Sequence, residues 1–184
     1  MELVKIGTQN WCTKNLNVST YSNGDTIPMV QDADAWRNLT TGAWCYYENK
    51  EKNGSIYGKL YNWFAVNDPR GLAPKGFHIP GEFEWRTLTD FLGGDYFAGT
   101  KMKSTSSLWK DNGRGTNESG FAGLPGGYRF EDGTFCFIGE EGKWWEPMEY
   151  GDNAMSSYLT CNFGHAGGDN DPKQRGLSVR CLLD

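Results

Sequence analysis

The last nine residues, GLSVRCLLD (Gly176–Asp184), constrain the fold more than any other stretch. Chain termini are usually frayed and polar. Here Leu177, Val179 and Cys181 alternate with Ser178, Arg180 and Leu182. A period of two with apolar residues in it reads as a strand built into a core. Such a strand sits centrally in a sheet or pairs with the opening run Leu3–Ile6. In either place it draws the chain ends together. Arg180 in its middle needs a carboxylate or carbonyl partner, and a structural ion pair is expected.

The stretches before it divide into a helical front and a stranded back. Trp11–Val18 reads as extended and Asp32–Leu39 as a short helix with Asp32 as N-cap. Ala43–Tyr47 reads as an aromatic strand. Leu60, Trp63 and Phe64 fall at helical spacing, which predicts an inward-packing helix over Tyr57–Val66. After a stiff connector, Pro74–Pro80, comes the clearest helix, Gly81–Leu92. Trp85, Leu88 and Leu92 share one of its faces, and Glu82 and Glu84 stand in the first turn, where the helix dipole favours acids. Gly93-Gly94 ends it. From Gly120 on, short strands alternate with glycine turns: Gly127–Phe130, Thr134–Ile138, Lys143–Glu146, Ala154–Asn162 and Gly176–Leu183, with Gly164–Pro172 as a long polar loop. Helices followed by antiparallel strands make an α+β pattern.

Length and composition narrow the function classes. A chain of 184 residues suits one domain spanning 1–184 and can bury a sizeable core. Its 25 glycines call for many turns. A net charge of −5 with no basic stripe argues against a nucleic-acid partner. No apolar run is long enough for a transmembrane helix, and the start has no signal-peptide core. A protein of this kind acting outside a cell would need another route, such as a virion, so a surface-exposed or virion-associated location is expected. The five cysteines are widely spaced, with no C-x-x-C pair, which suits mostly free, buried thiols.

Catalytic motifs are missing. There is no G-x-S-x-G, H-E-x-x-H or phosphate loop. His78 sits between apolar neighbours before a helix and reads as structural, and His165 in the glycine-rich loop reads as a surface residue. A non-enzyme is expected. Asp169-Asn170-Asp171 offers hard oxygen ligands that suit calcium, although carboxylates in such loops are often only turns, and no metal-ligand set is assigned.

Seven motifs in order then resemble one family. They are IGTQNW (Ile6–Trp11), NLNV (Asn15–Val18), YGKLYNWFAV (Tyr57–Val66), PKGFHIP with EWRTLTDFLGG (Pro74–Gly94), GFAGLPGGYR (Gly120–Arg129), KWW (Lys143–Trp145) and GLSVRC (Gly176–Cys181). Together they resemble the Fibrobacter succinogenes major paralogous domain over nearly the whole chain. The resemblance implies a C-type-lectin-like fold, related in shape to formylglycine-generating-enzyme domains. It implies two main helices, at Tyr57–Val66 and Gly81–Leu92, a mostly antiparallel sheet, and paired N- and C-termini. Two positions depart from the family pattern. Ala73 stands where a cysteine is frequent, and Trp144-Trp145-Glu146-Pro147 replaces Trp-Trp-Ser-Ser in the region such folds use for ligands. Glu146-Pro147 also resembles part of the Glu-Pro-Asn element of calcium-dependent lectins, without its Trp-Asn-Asp companion. Cys161 and Cys181 do not reproduce the copper-binding cysteine pair of the related enzymes.

Binding is the remaining function class. The segment from about 144 to 172 is rich in Gly, Asn, Ser, Asp and Tyr, the composition of paratopes. The candidate ligand-binding residues are Glu146, Met148, Tyr150, Asp152, Asn153, Ser157, Tyr158, Asn162, Phe163, His165, Asp169 and Asn170. A protein or glycan on a target surface is the expected partner. Domains of this type also resemble the variable proteins of diversity-generating retroelements, in which adenine mutagenesis turns AAC codons into NNC. Such codons cannot encode Lys, Gln, Glu, Met or Trp. These types make up 38 of the 184 residues, yet Tyr150–Pro172 contains only Met155, where composition alone would place about five. Residues 176–183 would then be the fixed terminal strand beyond the variable region. A fixed-sequence structural or surface-display module is the competing reading, and a relative of the formylglycine-generating enzymes is the residual one.

Overall fold

The computed structural model describes residues 1–184 and places them in five short helices and four small antiparallel sheets. The opening hairpin is β1 (Leu3–Ile6) and β2 (Gln9–Cys12), turned at Gly7. Next comes α1 (Ala33–Arg37), where the Asp32 carboxylate accepts from the Ala35 N–H as the cap predicted from sequence. Only two residues of the expected Ala43–Tyr47 strand pair, as β3 (Trp44–Cys45), because Tyr47 already starts a 3₁₀ turn.

The helix predicted over Tyr57–Val66 does not form. Tyr57 instead ends α2 (Glu51–Tyr57), and Gly58 breaks away with a positive φ of 80°. A side chain there would press on the Leu16 carbonyl, 2.9 Å from an ideal Cβ. Leu60–Tyr61 form β4, which pairs with β3, and only one turn, α3 (Trp63–Val66), follows. Asn62 makes the switch, accepting from the N–H groups of Ala65 and Ala43. Leu60 and Trp63 still point inward, one from a strand and one from a turn.

Phe77–His78 form β5 and lead into α4 (Glu82–Phe91), the clearest helix in the sequence and the longest in the structure. Trp85 and Leu88, and Leu92 just beyond its end, are buried as their spacing requires. Gly93-Gly94 ends α4, but a second helix that the sequence pattern lacked, α5 (Asp95–Met102), starts at once. The stranded half holds β6 (Gly126–Arg129), β7 (Phe135–Ile138), β8 (Glu141–Tyr150), β9 (Asn153–Thr160) and β10 (Ala166–Pro172). β10 corrects the reading of Gly164–Pro172 as a loop. It has no apolar alternation, and its pairing with β9 comes from backbone bonds at the sheet edge. The last strand is β11 (Leu182–Leu183).

The closing segment explains its own composition. β11 lies inside the first sheet, between β2 and β5. It therefore meets the opening hairpin through β2, and β1 lies beyond. Residues 176–178 make single bridges to Arg129, Tyr61 and Trp144, so the segment is a stitch between sheets and not the continuous strand expected. Both of its faces are buried. Leu177, Val179 and Cys181 enter one apolar cluster with Trp63 and Trp145, while Leu182 enters the other with Trp85 and Trp144. The period of two thus allots alternate side chains to two cores. The guanidinium of Arg180 lies over the Phe121 ring in the second core. No carboxylate meets it: its donors go to the carbonyls of Cys12 and Phe121 and to the side-chain oxygen of Asn15. The expected ion pair is replaced by backbone acceptors. All five cysteines are free thiols.

A histidine clasp ties β5 to the chain end. His78 Nδ1 lies 2.7 Å from the Asp184 carboxylate and Nε2 lies 2.8 Å from Glu84, whose other oxygen accepts from the Gly81 N–H. Burial disfavours the charged ring, but the hydrogen bonds to the two carboxylates outweigh it and leave its pKa raised. The folded state therefore holds this proton more tightly than the unfolded chain does. The clasp contributes fully below the ordinary histidine pKa of about 6.5 and is lost as pH rises through the folded value. The Tm is expected to fall between about pH 6 and pH 8, and His78→Gln to remove part of that slope. Equal slopes in the two proteins, measured by thermal denaturation, would discount the clasp.

Candidate functional site

The twelve candidate residues lie on or beside the sheet β10-β9-β8. Strand pleating sends alternate side chains to opposite faces. Trp144, Glu146, Met155, Ser157 and Leu159 face α4 and α5, whereas Lys143, Trp145, Ser156, Tyr158 and Asp171 face away from the helices. Between Trp145 and Glu149 the register slips, so that Glu146, Pro147 and Met148 stand opposite Met155 alone. Proline lacks an N–H to give to a ladder, and a bulge is where it fits.

The outer face is built on a charge network. Lys143 is buried and donates to Asp169 and Asp171, each at 2.9 Å. Asp171 is fully buried, and it also accepts from Arg175 and from the Ser156 hydroxyl, both at 2.5 Å. Arg175 reaches on to Glu131. Asp169 and Asp171, weighed above as calcium ligands, are thus engaged by lysine and arginine. No group of three or more His, Cys, Asp or Glu side chains is placed to hold a metal ion. Above the network a groove of about 450 Å³ is lined by Tyr158, Asn162, Phe163, His165 and Asp169, among others. The His165 ring packs between Tyr158 and Phe163, with its Nε2 3.3 Å from the Tyr158 hydroxyl. Gly167 makes room for the Tyr158 ring, whose Cζ would lie 2.3 Å from a Cβ at that position.

The candidates do not form one patch. Met148, Tyr150, Asp152 and Asn153 occupy the tip of the β8–β9 hairpin, where Asn153 donates to Asn170. Asn162, Phe163 and His165 lie past the other end of β9, about 23 Å away at 3.3 Å per residue. Phe163 and Tyr150 are 59% and 66% exposed, as a contact surface requires. Glu146 and Ser157 correct the expectation of exposure, since both are buried and turned toward the helices.

There they line a cleft of about 370 Å³ between α4, α5 and the sheet. Glu146 Oε1 accepts from the Ser157 hydroxyl at 2.9 Å, while its Oε2 is buried without a partner. Burial, with a smaller push from Glu82 and against the Ser157 hydrogen bond, raises the carboxyl pKa to about 7. Trp85, from α4, lines the same cleft, and its indole N–H is also buried and unpartnered. Most buried polar groups find partners, so two orphans in one cleft set it apart. Sequence reading missed Trp85, because a tryptophan on the apolar face of a helix reads as core. The glutamate after two buried tryptophans was the available signal.

Comparison with known proteins identifies the kind of chain. The model of the Fibrobacter succinogenes major domain matches residues 4–182. No curated protein and no solved structure matches at a significant level. The family match runs from β1 to β11 and takes in both clefts of the β8–β10 sheet, so the chain belongs to the Fibrobacter succinogenes major domain family.

Proposed function

We propose that this chain is a non-catalytic recognition protein that displays a sequence-variable surface on a C-type-lectin-like scaffold, as the variable protein of a diversity-generating retroelement. One observation carries the reading: between two buried flanks, exposed side chains are set among buried ones such as Ala154, Ser156 and Leu159, so candidate contact positions and frame are different residues. The side chains of Tyr150, Asp152, Asn162, Phe163 and Asn170 stand in solvent on turns and an edge strand. Trp144 and Trp145 before them, and residues 176–182 after them, are buried. A surface that changes while its frame persists needs this separation. Pairing of β11 with β2 supports the lectin-like scaffold, because it joins the two chain ends in one sheet. His78 is engaged by two carboxylates and His165 by two aromatic rings, which supports a non-catalytic role. The expected ligand is a protein or glycan, with Phe163 and Tyr150 as anchors.

The test is the DNA beside the gene. The reading expects a reverse transcriptase and a near-copy of the codons for Trp144–Asp184 that differs only at adenines. A protein-level counterpart is randomisation of Tyr150, Asp152, Asn162, Phe163 and Asn170. Each change is expected to move stability by no more than about 0.5 kcal/mol. If no copy exists and the randomised chains unfold, the surface is not variable. The fixed display module is then preferred, a reading favoured by the sheet-length separation of Tyr150 from Phe163.

A further inference from the structure

We infer that the cleft between α4, α5 and the helix-facing side of the β8–β10 sheet binds a small protonated amine with a hydroxyl beside its nitrogen. The inference does not rest on the recognition surface, which uses the hairpin tip and the outer face, so either can fail alone.

Hydrogen-bonding demand comes first. Glu146 Oε2 can only accept while ionised, and Trp85 Nε1–H can only donate. Both atoms are buried and unpartnered, on residues that are 3% and 5% exposed and come from different elements. A ligand that satisfies both must donate to one and accept from the other. An ammonium donates, and a neighbouring hydroxyl oxygen accepts.

Charge selects the sign. Glu82 and Asp90 from α4 and Asp95 from α5 line the cleft with Glu146, and Arg86 is its single base. Arg86 lies 4.0 Å from Asp90 and is partly offset by it. The field inside is therefore negative. It favours a cation, tolerates a neutral polar group and repels an anion. The size of about 370 Å³ falls within the range of small-molecule sites. The walls include Trp85, Trp144, Met102 and Leu159, which can pack a hydrocarbon body and place indole faces near a cation.

The pH dependence follows from the same groups. The Glu146 carboxyl titrates at about 7, with Glu82, Asp90, Arg86, Asp95 and the Ser157 hydroxyl around it. Its ionised form is the one that attracts a cation, so affinity for the amine rises from about pH 6 to pH 8.

Three probes of one shape and different charge test this by titration calorimetry: phenylethanolamine, the neutral diol styrene glycol and the anion mandelate. The wild-type chain is expected to bind phenylethanolamine about tenfold more tightly than styrene glycol and to give no heat with mandelate. Glu146→Gln keeps the size and the Ser157 bond and is expected to abolish the preference for the amine. Glu82→Gln, on the exposed first turn of α4, leaves the fold intact and should weaken the amine about two- to threefold. Equal binding of amine and diol overturns the inference. So does a folded Glu146→Gln protein that still prefers the amine, or an absence of heat with all three probes.

Discussion

Replacing Arg180 by methionine is expected to cost about 3 to 5 kcal/mol of folding stability. Arg180 is 1% exposed. Its Nη1 donates to the Cys12 and Phe121 carbonyls at 2.8 and 2.7 Å, and its Nη2 to Asn15 Oδ1 at 2.8 Å. Those acceptors come from the opening hairpin, the turn after it and a distant loop, and only the planar fork reaches all three. Methionine fills similar volume but leaves two buried carbonyls unpaired, and each orphan costs about 1 to 3 kcal/mol. Asn15 is a hub in its own right. Its oxygen also accepts from the Trp144 indole, and its amide donates to the Tyr57 carbonyl. Arg180→Lys should recover less than half of the loss, because one ammonium cannot span the same acceptors. Urea unfolding with linear extrapolation measures both. A loss below about 1 kcal/mol for the methionine variant would show that the carbonyls find other donors.

Features legible in the sequence were those whose cause is local. α4 has its acids, its apolar spacing and its glycine stop within a dozen residues, and α1 has its cap beside it. β10 and the break at Gly58 were not legible, because their causes are distant. β10 is a strand because β9 offers it a ladder, and position 58 takes a glycine because a side chain there would press on the Leu16 carbonyl. The demand of Arg180 for a partner was legible, but the choice of carbonyls was not, since Cys12 and Phe121 lie far away along the chain. The candidate site divides in the same way. Composition found the exposed hairpin tip and Phe163. It mistook buried Glu146 and Ser157 for surface, and it passed over Trp85, because which face of a strand meets a helix is decided by packing.

Asp171→Ala is expected to destabilise the chain by a comparable 3 to 5 kcal/mol, for an electrostatic reason. The Asp171 carboxylate is fully buried and is shared by Lys143, Arg175 and Ser156. Its loss leaves Lys143 with the half-exposed Asp169 and Arg175 with Glu131, two cations short of one buried acid. Removing both partners should be milder than removing one. A Lys143→Met, Asp171→Leu double variant is expected to lose less than Asp171→Ala, since no buried charge is stranded between them. A double-mutant cycle of Lys143→Met and Asp171→Leu, with each single variant and the double read by urea unfolding, decides this, and simple additivity would mean that the two residues do not act as a unit. The result bears directly on recognition. Asn170 points to solvent, while Asp171, the next residue of the same strand, is buried and holds Lys143, Arg175 and Ser156 together. If the proposed surface is diversified, Asp171 must stay fixed while Asn170 beside it varies, as must the buried Ala154, Ser156 and Leu159 between the exposed positions.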